Sequence, residues 1–124
     1  MFSKEYEETV MNADQWRHEA RGIINDIQEH VRSIEICKSP DLQSTDKGIY
    51  LNLTTLEGFE FCVKLSNEGF LITDNKYESV NVNFDKNETY ETIYALLDSV
   101  SPKYRNSFGN SLIHKLQKIK DNET

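Results

Sequence analysis

GIYLNLTTLEGFEFCVKLSNEGFLITDNK, residues 48–76, decides the fold. Ile49, Leu51 and Leu53 alternate with Tyr50, Asn52 and Thr54, the period of a half-buried strand. Leu56-Glu57-Gly58 supplies a turn, after which Phe59, Phe61, Val63 and Leu65 alternate with Glu60, Cys62 and Lys64. Ser66-Asn67-Glu68-Gly69 turns the chain again, with Gly69 free to take positive φ. Residues 70–73 make a third strand and Asp74-Asn75-Lys76 a further turn. Turns this short require antiparallel neighbours. The alternation predicts one wet face and one dry face. Beyond the last turn, residues 77–84 predict a weaker fourth strand with Val80, Val82 and Phe84 on one side.

Downstream, the pattern changes to a helical one over residues 89–120, TYETIYALLDSVSPKYRNSFGNSLIHKLQKIK. Asn87 or Thr89 can cap the first piece, and Glu88 and Glu91 suit its positive end. Ile93, Leu96, Leu97 and Val100 then recur at spacings of three and four. Ser101-Pro102 breaks and restarts the chain, since Ser is a favoured cap and Pro at the first helical position loses no bond. In the second piece Tyr104, Phe108, Leu112, Leu116 and Ile119 span roughly 120° of the helix, and Ile113 widens the arc to about 180°. A stripe of about 100° suffices to seat a helix on a core. This helix therefore has apolar surface to spare for a second protein. Gly109 costs about 1 kcal/mol relative to Ala, which predicts a compensating close approach by a neighbour.

The charge is divided along the chain. The net charge is −7, yet residues 101–120 hold Lys103, Arg105, Lys115, Lys118 and Lys120 and no acidic residue. A basic amphipathic helix on an acidic domain suits a partner-docking element, the alternative being a helix that only closes the core. The acidic balance argues against nucleic acid. No stretch approaches the ~20 apolar residues of a membrane span, and no secretory leader follows Met1. A monomer in the cytoplasm, with the nucleus as a second compartment, is expected. Cys37 and Cys62 have no metal-ligand spacing and are expected to be reduced.

Upstream, residues 1–12 are acidic and aperiodic and read as a flexible tail, and residues 121–124 are read as a C-terminal tail. A first helix should begin near Ala13–Asp14 and run to about Ile34. Trp16, Ala20, Ile23, Ile24, Ile27, Val31 and Ile34 fall within roughly 100° of one another. A polar connector containing Ser39-Pro40 follows and reaches Lys47. Residues 13–120 thus form one α+β two-layer domain, an antiparallel meander of three to four strands packed by an N-terminal helix and C-terminal helices, in the order α-β-β-β-β-α-α. Catalytic chemistry has no candidate: there is no Gly-rich phosphate loop, no GxSxG and no HExxH. His30, four residues after Asp26, reads as half of a surface pair. Neither a metal nor a cofactor is expected, and an enzyme is not.

The run YETIYALLDSVSPKYRNSFGNSLIHKLQKIK, with HEARGIINDIQEHV and GIYLNLTTLEGFEFCVKLSNEGFLI upstream, resembles the glycogen synthase kinase-3 beta interaction protein family over about residues 15–120. The spacing SP-x-Y-R-x2-FGN-x-L, preceded by Y-x-LLD, carries most of the specificity. Phe108, Leu112, Ile113, His114, Lys115, Leu116 and Ile119 also resemble the kinase-binding helix of axin, with Lys where axin has Arg. The resemblance implies binding and inhibition of glycogen synthase kinase-3 through Phe108, Leu112, Ile113, Lys115, Leu116 and Ile119, with a role in Wnt signalling. It implies as an alternative the anchoring of the protein kinase A regulatory subunit by the first helix, through Ile23, Ile24, Asn25, Ile27 and Val31. The sequence departs from the anchoring members at Gln28 and Glu29, where they carry large apolar residues. The same domain type resembles a segment of the clustered mitochondria proteins, which leaves a purely structural interaction module as a further alternative.

Overall fold

The alternating residues of the meander line up into three apolar ladders on one face of an antiparallel sheet. In this computed structural model, which describes residues 11–84 and 88–123 (in the last helix, side chains only at residues 102–107, 113 and 115–117), five strands lie in sequence order. They are β1 (Ser33–Ile36), β2 (Ile49–Thr54), β3 (Glu60–Ser66), β4 (Gly69–Asp74) and β5 (Thr89–Tyr90). Register places Ile36, Leu51, Val63 and Ile72 in one row, Ile34, Leu53 and Phe61 in a second, and Ile49, Leu65, Phe70 and Tyr90 in a third. Helix α1 (Ala13–Ile27) lays Trp16, Ala20 and Ile27 on these rows. Helix α2 (Ile93–Val100) adds Ile93, Leu96 and Leu97, and helix α3 (Pro102–Glu123) adds Tyr104. Each fully buried Leu or Ile contributes about 1.5–3 kcal/mol, so these rows are the main source of stability.

The α+β two-layer architecture is the expected one, but the sheet has five strands where three to four were expected. The first added strand straddles the expected end of the first helix and the connector after it, and the second comes from a segment that read as helix. Ile27, Val31 and Ile34 fit a helical stripe, while Ile34-Glu35-Ile36 equally fits a strand. The open edge of β2 decides between them by offering backbone partners. Helix α1 therefore stops at Ile27, a 3-10 turn covers Gln28–His30, and Ile34 pairs with Leu53. At the other edge Thr89 pairs with Leu71, so the cap of α2 is Thr92, whose hydroxyl accepts the Ala95 amide at 3.1 Å. Asn87, the other candidate cap, lies outside the described residues. The connector expected to be merely polar holds β1 and a 3-10 turn at Pro40–Leu42.

The expected fourth strand at 77–84 does not form. Its first residues, Tyr77, Glu78 and Ser79, fold over the sheet's second face, so this face is not the wet one that alternation predicted, while Phe84 packs against the first core. Tyr77 Oη meets Ser33 Oγ at 3.0 Å and also bonds Thr54 Oγ1. The Glu78 amide donates to Asn52 Oδ1 at 3.0 Å, and its carboxylate accepts the Lys38 amide at 2.7 Å. Glu78 takes φ +54° to do both, a left-handed conformation that is costly for a residue with a Cβ. Beneath lies a small second core of Cys37, Leu42 and Cys62. Val82 is left 89% exposed rather than turned inward, and Phe59, just before β3, is also exposed. Cys62 points to this second face as expected. The thiols are free, with Sγ atoms 3.9 Å apart. They stand on β3 and just beyond β1 with β2 between, a separation of about 9–10 Å by strand spacing, too wide for a disulfide.

The first helix begins where expected. Asn12 Oδ1 accepts the Gln15 amide at 2.9 Å and Gln15 Oε1 accepts the Asn12 amide at 2.8 Å, a reciprocal cap. Gly69 has φ +110°, and a Cβ there would stand 2.4 Å from the Tyr90 carbonyl oxygen. Gly109 has no neighbour within 4 Å of where its Cβ would be, so the expected close approach is absent. Gly22, exposed in α1, is likewise in open space. Gly22→Ala should therefore raise stability by about 0.5–1 kcal/mol, while Gly69→Ala should lower it by more than about 1 kcal/mol. Thermal melting followed by circular dichroism separates the two signs.

Candidate functional site

Ser101 separates two helices and sets the direction of the second. Its amide closes α2 by donating to the Leu97 carbonyl at 2.8 Å, and its extended backbone then turns the chain. Pro102 opens α3 and has no amide hydrogen to satisfy. The next two amides are both capped. Lys103 N donates to Glu57 Oε2 at 2.8 Å, and Tyr104 N donates to Ser101 Oγ at 3.0 Å. Ser101 Oγ in turn donates to Glu57 Oε1 at 2.7 Å. Glu57 sits in the β2–β3 turn, which Thr55 shapes by accepting the Gly58 amide at its carbonyl and the Phe59 amide at its hydroxyl. Partial burial pushes the Glu57 carboxyl pKa up, but the hydrogen bonds from the Lys103 amide and the Ser101 hydroxyl outweigh it and hold the pKa below the usual value.

Two further contacts fasten the same end of α3. His30 Nδ1 lies 2.9 Å from Ser107 Oγ, and the His30 ring meets Tyr104 edge-on with centroids 6.0 Å apart. Tyr104 is 4% exposed, and burial pushes its phenol pKa up. On the outer side Arg105 Nε bonds Asp98 Oδ1 at 2.8 Å and Arg105 Nη2 donates to the Asp98 carbonyl at 3.0 Å. Both of those side chains are exposed, so this pair fixes geometry more than it adds energy. The contacts of Ser101, Lys103, Arg105 and Ser107 tie this end of α3 to the β2–β3 turn, α2 and the 3-10 turn after α1.

Beyond that end the helix presents apolar side chains to solvent. Ile113 and Leu116 are each 56% exposed, with Lys115 and Gln117 exposed beside them. Leu116 stands twelve residues past Tyr104, about 18 Å along the axis. Of the residues that the sequence proposes for kinase binding, the structure thus sets Ile113, Lys115 and Leu116 at the surface of one arm. The side chains of Phe108, Leu112 and Ile119 lie outside the described residues. The five residues proposed for protein kinase A anchoring, four on α1 and Val31 beyond it, fall differently. Ile27 and Val31 are buried in the core, Ile23 and Ile24 are half-buried, and Asn25 is exposed.

Sequence reasoning passed over Glu57 and His30. Glu57 read as part of a turn, and no spacing ties it to a serine 44 residues later. His30 read as half of a surface pair with Asp26, whereas it is 8% exposed and faces α3. Its signal was the end of the α1 stripe, which became visible only once the helix proved shorter. Among the described residues no group of three or more His, Cys, Asp or Glu could hold a metal ion.

A family model described as the GSKIP domain matches residues 16–119. A Danio rerio protein named GSK3-beta interaction protein is 35% identical over 106 residues, covering 86% of this chain and 77% of its own length. The Homo sapiens GSK3B-interacting protein is 33% identical over 104 residues, covering 84% of this chain and 73% of its own. A shorter match, 34% over 61 residues, joins the chain to the Drosophila melanogaster protein named Protein GSKIP homolog.

The geometry divides α3 into a fastened end and a free end, and stability should follow that division. Tyr104→Ala should cost about 3 kcal/mol, the lower end for a buried aromatic. Leu116→Lys, which keeps helix propensity, should change stability by less than about 0.5 kcal/mol. Urea denaturation of both variants checks this; a loss above about 1 kcal/mol in Leu116→Lys would mean that the stripe packs inward.

Proposed function

The chain belongs to the GSKIP domain family, and on that premise we propose that it binds glycogen synthase kinase-3 through α3 and restrains the kinase's activity. The observation that carries this is the exposure of Ile113 and Leu116 on a helix fastened at its other end. The mode is helix-in-groove recognition. Leu116, Leu112 and Phe108 enter an apolar channel on the kinase, Ile113 and Ile119 extend the contact along the arc, and Lys115 meets acidic groups at the rim. Restraint of the kinase by occupying a docking groove is the link to Wnt signalling. The domain supplies no reacting group in this scheme; it holds a helix.

Leu116 is the residue on which the mode rests most heavily. A central apolar anchor contributes about 2 kcal/mol or more, so Leu116→Lys should weaken capture of purified glycogen synthase kinase-3 by about thirtyfold or more while the chain stays folded. Pull-down with the purified kinase, together with a kinase activity assay on a peptide substrate, measures both binding and restraint. Wild-type capture by folded Leu116→Lys would falsify the contact surface. Capture without loss of kinase activity would leave the protein a tether.

A further inference from the structure

We infer that Glu57 is a positioning residue for the α3 arm: its carboxylate, presented by the β2–β3 turn, clasps the start of the helix and keeps the distant Ile113–Leu116 surface ordered and aimed before any partner arrives. The inference rests on the proposed docking by α3, yet its first observable is independent of the kinase.

The geometry that carries it is a closed ring of hydrogen bonds. Glu57 Oε2 takes the Lys103 amide, Glu57 Oε1 takes the Ser101 hydroxyl, and Ser101 Oγ takes the Tyr104 amide. With Pro102 lacking a donor, the Lys103 amide is met by a side chain from the far end of a hairpin, while the Tyr104 and Arg105 amides turn to Ser101, whose hydroxyl that same carboxylate holds. Ser101 is fully buried, so water does not compete for its hydroxyl. Two charge effects reinforce it. An anion at a helix N-terminus is favoured by the aligned backbone dipoles, and the bonds themselves are charge-assisted. The helix lacks this help from its own sequence, because residues 101–120 hold no acidic side chain that could serve its N-terminus.

The consequence for docking is one of preorganisation. Helix formation is limited by its first turn, with a nucleation constant of order 10⁻³. A turn already clasped removes that barrier for the residues that follow, and less order has to be created on binding. Glu57 is thereby coupled to a binding surface it does not touch. Glu57→Gln keeps the size and one acceptor but loses the charge and cannot accept both donors.

The test uses the full chain with Glu57→Gln and Ser101→Ala, alone and together, beside Leu116→Lys. Amide hydrogen exchange of the free protein is read first. Glu57→Gln should raise exchange along α3 by about tenfold and leave β2–β4 unchanged, and the double variant should be little worse than either single one, because both break the same ring. The gap between wild type and Glu57→Gln should close as pH falls through the Glu57 pKa, which the ring's hydrogen bonds hold below the usual carboxylate value, so that wild-type Glu57 itself protonates; the Arg32 guanidinium, which donates to the Leu56 carbonyl, and the Lys103 amide face the same turn. Affinity for purified glycogen synthase kinase-3 is read second, and should fall about tenfold in Glu57→Gln. Unchanged α3 exchange in Glu57→Gln overturns the clasp whatever the kinase does. Raised exchange with unchanged affinity overturns the positioning role. Failure of the wild type to bind the kinase, with Leu116→Lys indistinguishable from it, removes the docking reading and with it the positioning role, leaving the clasp to be judged on exchange alone.

Discussion

The structure depends on α3 being held by one end. Its first two turns meet the β2–β3 turn, α2 and the 3-10 turn after α1, and its later residues Ile113 and Leu116 meet solvent. A free helix of about twenty residues is marginal in water, chiefly because its first turn must be ordered for little return. Anchoring the start supplies that turn from tertiary contacts. The anchored segment is also where α3 buries Tyr104 in the core. An apolar stripe too wide for one surface is thus shared out along the helix axis: one end serves the fold and the other remains available.

That division places demands on the sheet. The β2–β3 hairpin must be rigid enough to present Glu57 at a fixed distance from Ser101 and Lys103, and its first strand is the most deeply buried of the five. One face carries the three apolar rows under α1 and α2. The other is covered by Tyr77, Glu78 and Ser79. Asp74 Oδ2 accepts the Ser79 hydroxyl and Asp74 Oδ1 the Asn75 amide, and these bonds hold the Asp74 carboxyl below its usual pKa. The left-handed Glu78 is the cost of drawing that segment down onto Asn52. A hairpin covered on both faces is a firmer base than a one-sided meander would have been.

The central strands were legible because alternation leaves one answer: Ile49, Leu51 and Leu53 cannot all be buried in any other regular way. The Ser101-Pro102 restart was legible because proline at a first helical position has a mechanism. The edge strands were not. Ile34 satisfies a helical stripe and a strand at once, and only an unpaired neighbour settles which forms. Residues 77–84 look like a strand because Val80, Val82 and Phe84 alternate, yet the hydrogen bonds of Tyr77 and Glu78 to the second face prevail over a weak local pattern. At the candidate site, the width of the α3 arc could be counted from the sequence, including the room it leaves for a partner. The contribution of Glu57 could not, because a cap supplied from another element has no local signature.

Charge explains why the arm does not simply fold back on the acidic domain that carries it. Arg105, at the base, is already engaged by Asp98. Lys115 stands eleven residues past Tyr104, about 16 Å along the axis, twice the ~8 Å over which exposed charges feel one another at physiological ionic strength. The Glu57 carboxylate at the clasp therefore exerts little pull on Lys115. Stiffness set by the clasp and screening set by length act together here.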